Sequence, residues 1–391
     1  MPRPARPHYL PRCPMPQMPR QPLVIALTAA LGALALAPVV HAQQSQTMSM
    51  READKRAREM NSGKSDDGKG KQADKKPALY PNATRKEPEI KVSPKMGKQL
   101  QSLQQAYDKE DWSGTMAKAD QIGGMSDATA YDKAFAYSVA GNAAANDNDQ
   151  AKAADYFSKA VAADGLDNDG HYSVMYNLAV TQFGEEKYAD ALATIDRFLA
   201  ETKSDKPEHL AFRAGILANL DRYDEAAAIY KQLVAKNPED KRLLMNAVAA
   251  LQNGQKQDEA NVLLADAYKR GMLTDPRELR MLYIGYMNAE KWADAQKVIE
   301  DGVAKGILQP GPDLARDYQI LAQTAYANDN LPLAIEMYRR AAPMATDGEA
   351  YLNLAKVLDY AGKKAEAKEA AKQALAKGVK KPEDANRILA R

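Results

Sequence analysis

Cysteine is nearly absent from this chain of 391 residues; the only one is Cys13. It stands upstream of an apolar run at Leu23–Val40, so a chain shortened behind that run has none. Disulfides and cysteine-ligated metals are thereby excluded from the remainder. Trp and Phe are scarce, at two and five, which removes good strand formers and weighs against a β-rich fold. The formal net charge of +2 leaves no single-signed field of the kind nucleic acid selects. Histidine is limited to four residues, and only His171 and His209 lie beyond Ala42. Both fall near expected helix starts, with no Cys partner and no His-Glu-x-x-His spacing, so they are expected as surface or cap residues. No Gly-x-Ser-x-Gly elbow is present. Gly63-Lys64-Ser65 has Arg58 where a phosphate loop needs its first glycine, and no strand precedes it. The acidic run Asp164–Gly170 would put Gly165 and Tyr176 at the first and last ligand positions of a calcium loop, so it reads as a turn with helix-capping Asp and Asn. No catalytic residue, metal site or cofactor is expected, and the chain reads as a non-enzyme.

The N-terminus reads as an address. Arg20 precedes the apolar run, and Val40-His41-Ala42 supplies small residues at the last and third-last positions. This predicts a signal peptide over residues 1–42, cleaved after Ala42, and export to a periplasm of the Gram-negative type. The run is short for a membrane span and contains Gly32 and Pro38, which favours cleavage over anchoring. Residues before Met18 are proline-rich, which points to Met18 as the start. Residues 43–95 carry 13 Lys and Arg against 8 Asp and Glu. Few large apolar residues accompany them, so this stretch is expected to be a disordered, mildly basic linker. Its charge suits peripheral contact with an anionic envelope surface. Residues 77–94, with four prolines, read as extended.

Beyond the linker a small residue recurs: Ala153, Ala191, Ala226, Ala260, Ala295, Ala334 and Ala367, spaced by 38, 35, 34, 35, 39 and 33 residues. Four residues on stand Phe157, Ile195, Tyr230, Leu264, Ile299, Tyr338 and Ala371, on the same helical face. Twelve residues earlier stand Gly141, Ala179, Ala214, Val248, Tyr283, Ala322 and Ala355, on a preceding helix. A period near 34 marks stacked helix–turn–helix units. Met96–Asp108 and Trp112–Ile122 read as a divergent first unit, and Pro382–Ala390 as a closing helix.

The clearest unit, Pro207–Asp240, sets Leu210, Ala214, Leu217, Tyr223, Ala226, Tyr230, Leu233 and Pro238 in a pattern that resembles the tetratricopeptide repeat (TPR) family. That resemblance implies an all-α fold over residues 96–391: an α-solenoid, a right-handed superhelix of about eight repeats. It also implies a protein-binding role. In the family the first helix of each repeat lines the concave face. Carried onto this register, the face includes Gln104, Asn142, Tyr176, Asn177, Met245, Asn246, Arg277, Arg280, Met287, Gln319, Gln323, Tyr326, Asn353 and Lys356. Amides present a donor and an acceptor, and so suit a peptide backbone of any sequence. Asn142, Asn177, Asn246, Gln323 and Asn353 are the candidates. Relatives that clamp C-terminal carboxylates add Lys and Arg at positions held here by Ser138, Glu208 and Phe212, which argues against that partner class. Arg277, Arg280, Arg316 and Lys356, with Tyr326 and Met287 among them, predict a basic half-groove for an acidic or extended peptide. The alternative expectation, also by resemblance, is an accessory protein docking on a membrane transport or envelope-assembly complex, of TonB-type uptake or polymer export.

Overall fold

A computed structural model describes residues 77–391. The expected signal peptide and the linker up to residue 76 lie outside the described residues. Among the described residues there are 17 helices and no strand. Packing divides them into two compact units, one ending at Leu263 and the other running Leu264–Arg391.

The first unit holds α1 (Gly97–Asp108), α2 (Trp112–Gly124), α3 (Ala130–Asn146), α4 (Gln150–Ala163), α5 (Asn168–Gly184), α6 (Tyr188–Thr202), α7 (Pro207–Asn219), α8 (Tyr223–Lys236) and α9 (Lys241–Asn253). The division falls within α10 (Gln257–Lys269). The second unit continues with α11 (Pro276–Asn288), α12 (Trp292–Ala304), α13 (Pro312–Ala327), α14 (Leu331–Met344), α15 (Glu349–Tyr360), α16 (Lys364–Lys377) and α17 (Pro382–Leu389). In both units most helices pack on the next in sequence, as consecutive helical hairpins do. The architecture is a helical solenoid of eight pairs and a closing helix, as the repeat spacing predicts.

Helix starts are set by local chemistry. Asp111, Asp149, Asp167 and Asp240 each accept a backbone N–H from the first turn, and Thr129 and Asp275 form full capping boxes with Asp132 and Glu278. Proline opens α7, α11, α13 and α17, where its missing N–H costs nothing. The turn inside each hairpin follows one rule. Five residues before each recurring alanine, and before Thr115 at the matching place 38 residues ahead of Ala153, the backbone is left-handed: Glu110, Asn148, Glu186, Asp221, Gln255, Glu290 and Asp329 have φ between 57° and 60°, and Gly362 has 76°.

The recurring alanines are where hairpins close. Ala153, Ala191, Ala226, Ala260, Ala295, Ala334 and Ala367 are all fully buried. Five of their seven counterparts on the first helices are Gly or Ala, and at Gly141 there is no room for more: a Cβ would sit 2.5 Å from the Phe157 ring. The run Asp164–Gly170 is an inter-repeat turn, and Asp167 accepts the Gly170 N–H at 2.8 Å.

Two expectations need correction. Residues 77–95 are not a disordered linker: they form an extended strap bonded to α3, α5 and the end of α6. Composition counts apolar surface, and this strap is held by a few polar and aromatic anchors that composition does not register. His171 and His209 are not surface residues either. They are 1% and 6% exposed, because their helix starts lie beneath the strap and the preceding turns.

Candidate functional site

The expected face is described separately in each unit. In the first, Asn142, Asn177 and Asn246 are half-buried on α3, α5 and α9. Asn177 and Asn246 occupy the same place in their hairpins, two residues before the small first-helix position, and the neighbouring residues Leu178, Ala179, Ala247 and Val248 are buried. The backbone carbonyl of Asn177 accepts the Thr181 hydroxyl at 3.0 Å. Met245 is half-buried beside Asn246, while Gln104 on α1 donates to Asp108 at 2.8 Å. Tyr176 is drawn into an aromatic cluster, with its ring centroid 5.0 Å from His209, 5.5 Å from Phe212 and 5.6 Å from Phe198. Burial, with Glu208 and Tyr80 nearby, pushes its hydroxyl up to about 12, so it stays neutral.

In the second unit the expected basic character is cancelled locally. Arg277 is exposed and pairs with Asp275, the cap of its own helix, at 3.1 Å. Arg280 reaches Asp313 at 3.4 Å and Asp317 at 3.3 Å. Asp317 is 1% exposed and also accepts the Tyr283 hydroxyl at 2.7 Å. Burial raises the Asp317 carboxyl against the opposing pull of Tyr283 and Arg280. Arg316 faces Asp313 at 3.4 Å, and Lys356 pairs with Asp384 of α17 at 2.8 Å. The sequence register placed the cations correctly on the first helices, but it could not see the carboxylates that the next helix brings to them. Met287, expected on the face, is core at 1% exposure. Gln319 and Asn353 are half-buried, and Gln323 is exposed within reach of the Tyr338 hydroxyl. Tyr326 stands edge-on to Tyr360 at 6.1 Å, and Tyr360 is 65% exposed. This aromatic pair is the open apolar feature of the face in this unit.

A second site lies in the first unit, at the helix ends, and the sequence reading missed it. Tyr80 of the strap inserts its ring among Tyr172, Phe198 and His209, at centroid distances of 5.6, 5.5 and 6.4 Å. The Lys206 ammonium lies 5.6 Å from that ring, and a hydrogen bond links the Tyr80 hydroxyl with Ser173. Burial pushes the hydroxyl up to about 12. Five residues on, Arg85 donates to the Asp164 carboxylate, the Asn168 amide oxygen and the carbonyls of Asp164 and Leu166, at 2.8 to 3.1 Å. Between the anchors the Thr84 N–H donates to the Glu201 carbonyl at 2.8 Å. Beside Arg85 opens a cleft of about 520 Å³, walled by Asp164, Arg197 and Glu201. His171 lies under this region, its Nδ1 3.6 Å from Asp164. Burial, reinforced by Arg85, lowers it to about 4, so it is neutral near pH 7. His209 accepts or donates at Nδ1 with Ser204 at 2.8 Å, and burial lowers it likewise to about 4.

Among the described residues, no three His, Cys, Asp or Glu side chains gather as metal ligands, and no helix is long and apolar enough to cross a membrane. Residues 176–241 and 213–273, from within α5 to just past α10, match the tetratricopeptide repeat family model. No curated protein matches it. Similar solved structures include a tetratricopeptide repeat protein from Parabacteroides merdae, at 16% identity and TM-score 0.38, covering 67% of this chain and 98% of that one. Another is YrrB, a TPR protein with an unusual peptide-binding site, at 20% identity and TM-score 0.38 over 47% of this chain and 92% of its own. A third is MamA, at 13% identity and TM-score 0.36 over 50% of this chain and 93% of its own.

Proposed function

We propose that this protein is a non-enzymatic scaffold of the cell envelope, exported to the periplasm, that holds a segment of another protein against the first-helix faces of its repeats. The observation that carries this reading is the repeated, half-buried amide: Asn177 and Asn246 stand at one register position on α5 and α9, flanked by core residues. A side chain at that position is not needed to close the hairpin, and an amide there can meet peptide N–H and C=O groups of any sequence. The matched arginines and Lys356 of the second unit favour a partner chosen by backbone and apolar contacts rather than by negative charge. Export is supported by the Leu23–Val40 run and the Val40-His41-Ala42 site.

Crosslinking in intact cells, followed by recovery of the tagged chain, tests the reading. An envelope protein should be recovered with the native chain and should fall roughly ten-fold with the Asn177→Ala, Asn246→Ala variant, if these amides sit at the centre of the contact. Both chains should melt alike. Equal recovery with both would remove the first-helix face as the site. A mature N-terminus other than Gln43 would remove the assigned cleavage.

A further inference from the structure

We infer that the strap edge of the first unit is a second peptide-binding site, whose ligand is an extended segment of a partner protein carrying an aromatic residue and, five residues later, an arginine. The chain's own residues 79–87 are its resident occupant and must leave when the partner enters. This site lies at the helix ends and does not rest on the amide-face reading.

The occupant shows what the site selects. Tyr80 fills an aromatic socket made by three helices, α5, α6 and the start of α7. Such a socket takes any flat ring of this size, and its Lys206 rim and Ser173 favour one with a polar tip. Arg85 enters a cradle of acceptors only: one carboxylate, one amide oxygen and two main-chain carbonyls. A guanidinium, with five donors in a fixed fork, fills that set, whereas a lysine ammonium cannot reach it all. The Arg85 side chain is 10% exposed although its segment runs over the surface. The spacer between the anchors is unselective: Pro81, Asn82 and Thr84 are exposed, and its main fixed contact is a backbone bond to Glu201.

The same geometry makes the strap displaceable. The hairpin contacts at Ala153, Phe157, Ala191 and Ile195 lie between helices, and Tyr80 covers Tyr172, Phe198 and His209 at the helix ends. Residues 91–96 are fixed separately: Thr129 donates to the Lys91 carbonyl, Asp132 accepts the Ser93 N–H, and Met96 is 3% exposed. Residues 79–87 can therefore detach while the chain stays anchored at α3. A tethered occupant acts at an effective concentration on the order of millimolar, so a free ligand competes poorly until the strap is weakened.

The test uses a fluorescent synthetic peptide with the sequence of residues 77–91, titrated into the full chain and read by anisotropy. A full-chain variant carrying Tyr80→Ala and Arg85→Ala should bind it about ten-fold or more tightly than the native chain does, because its own strap no longer competes. A peptide bearing the same two substitutions should bind neither chain. Adding Asp164→Lys to the variant should abolish binding, whereas adding Asn177→Ala and Asn246→Ala should leave it unchanged. If the double variant fails to fold, Arg85→Ala alone should show the same order of affinities. Absence of saturable binding to a folded variant, or equal binding to native and variant chains, would overturn the proposal. So would a native dimer, seen by sedimentation and lost with Tyr80→Ala, which would make the strap an element exchanged between copies.

Discussion

A histidine that begins a helix in a charged sequence ordinarily faces water, yet His171 and His209 are buried and held neutral. Arg85 and Arg197 oppose protonation of His171 while Asp164 and Glu201 favour it; Lys206 and Glu208 act in the same opposed senses on His209. Burial outweighs these charges at both, and each folded value of about 4 lies below the ordinary 6.5. The neutral form is therefore the one the fold prefers. Its contribution is complete above the unfolded value, declines as pH falls from 6.5 toward 4, and is spent below that. Each shift is worth on the order of 3 kcal/mol at most. Thermal melts should drop between about pH 7 and pH 4.5, and His209→Gln should shrink that drop; an equal drop in the variant would contradict the assignment. A second residue-scale consequence concerns the hairpin turns. Glu186 is exposed with φ 58°, a conformation that costs a side-chain-bearing residue about 1 kcal/mol. Glu186→Gly should raise stability by up to about 1 kcal/mol in urea unfolding, even though glycine is usually harmful near helices.

At the scale of elements, the hairpins were legible because packing repeats. The alanine register identified the closest approaches of paired helices, and all seven of those alanines are fully buried. Ala226→Leu should accordingly cost about 1–3 kcal/mol through overpacking between α7 and α8. Gly165 was read only as part of a turn. A Cβ there would meet the Ala130 backbone at 2.2 Å, and backbone yields less readily than a side chain. Gly165→Ala should thus cost at least about 2 kcal/mol, measurable as a lowered melting temperature. The basic half-groove was expected at this same scale without the carboxylates that stand beside its cations. The period assigned Arg280 to a first helix, but its partners Asp313 and Asp317 arrive from the next hairpin, more than thirty residues on. An Arg280→Glu change would set a third carboxylate beside Asp313 and the buried Asp317. It should destabilise α11 and α13 by roughly 2 kcal/mol or more before it informs on any partner.

Each of the two described units is a series of neighbours rather than one core. Helices pack on those adjacent in sequence, so damage should stay local. Amide exchange in Ala226→Leu should quicken in α7 and α8 while α13 to α16 keep native protection; a uniform loss would show the described chain to unfold as one body. The sequence by itself determined the helix count, the hairpin period, the closing helix and the small residues at each contact. These depend on local periodicity and on neighbours about 34 residues away, which a linear pattern records. Only the tertiary structure decided which cations are matched by carboxylates, that two histidines are buried, and that residues 77–95 form a strap. Those outcomes turn on single side chains such as Tyr80 and Arg85 meeting helix ends about 80 to 130 residues away, and no period links such contacts.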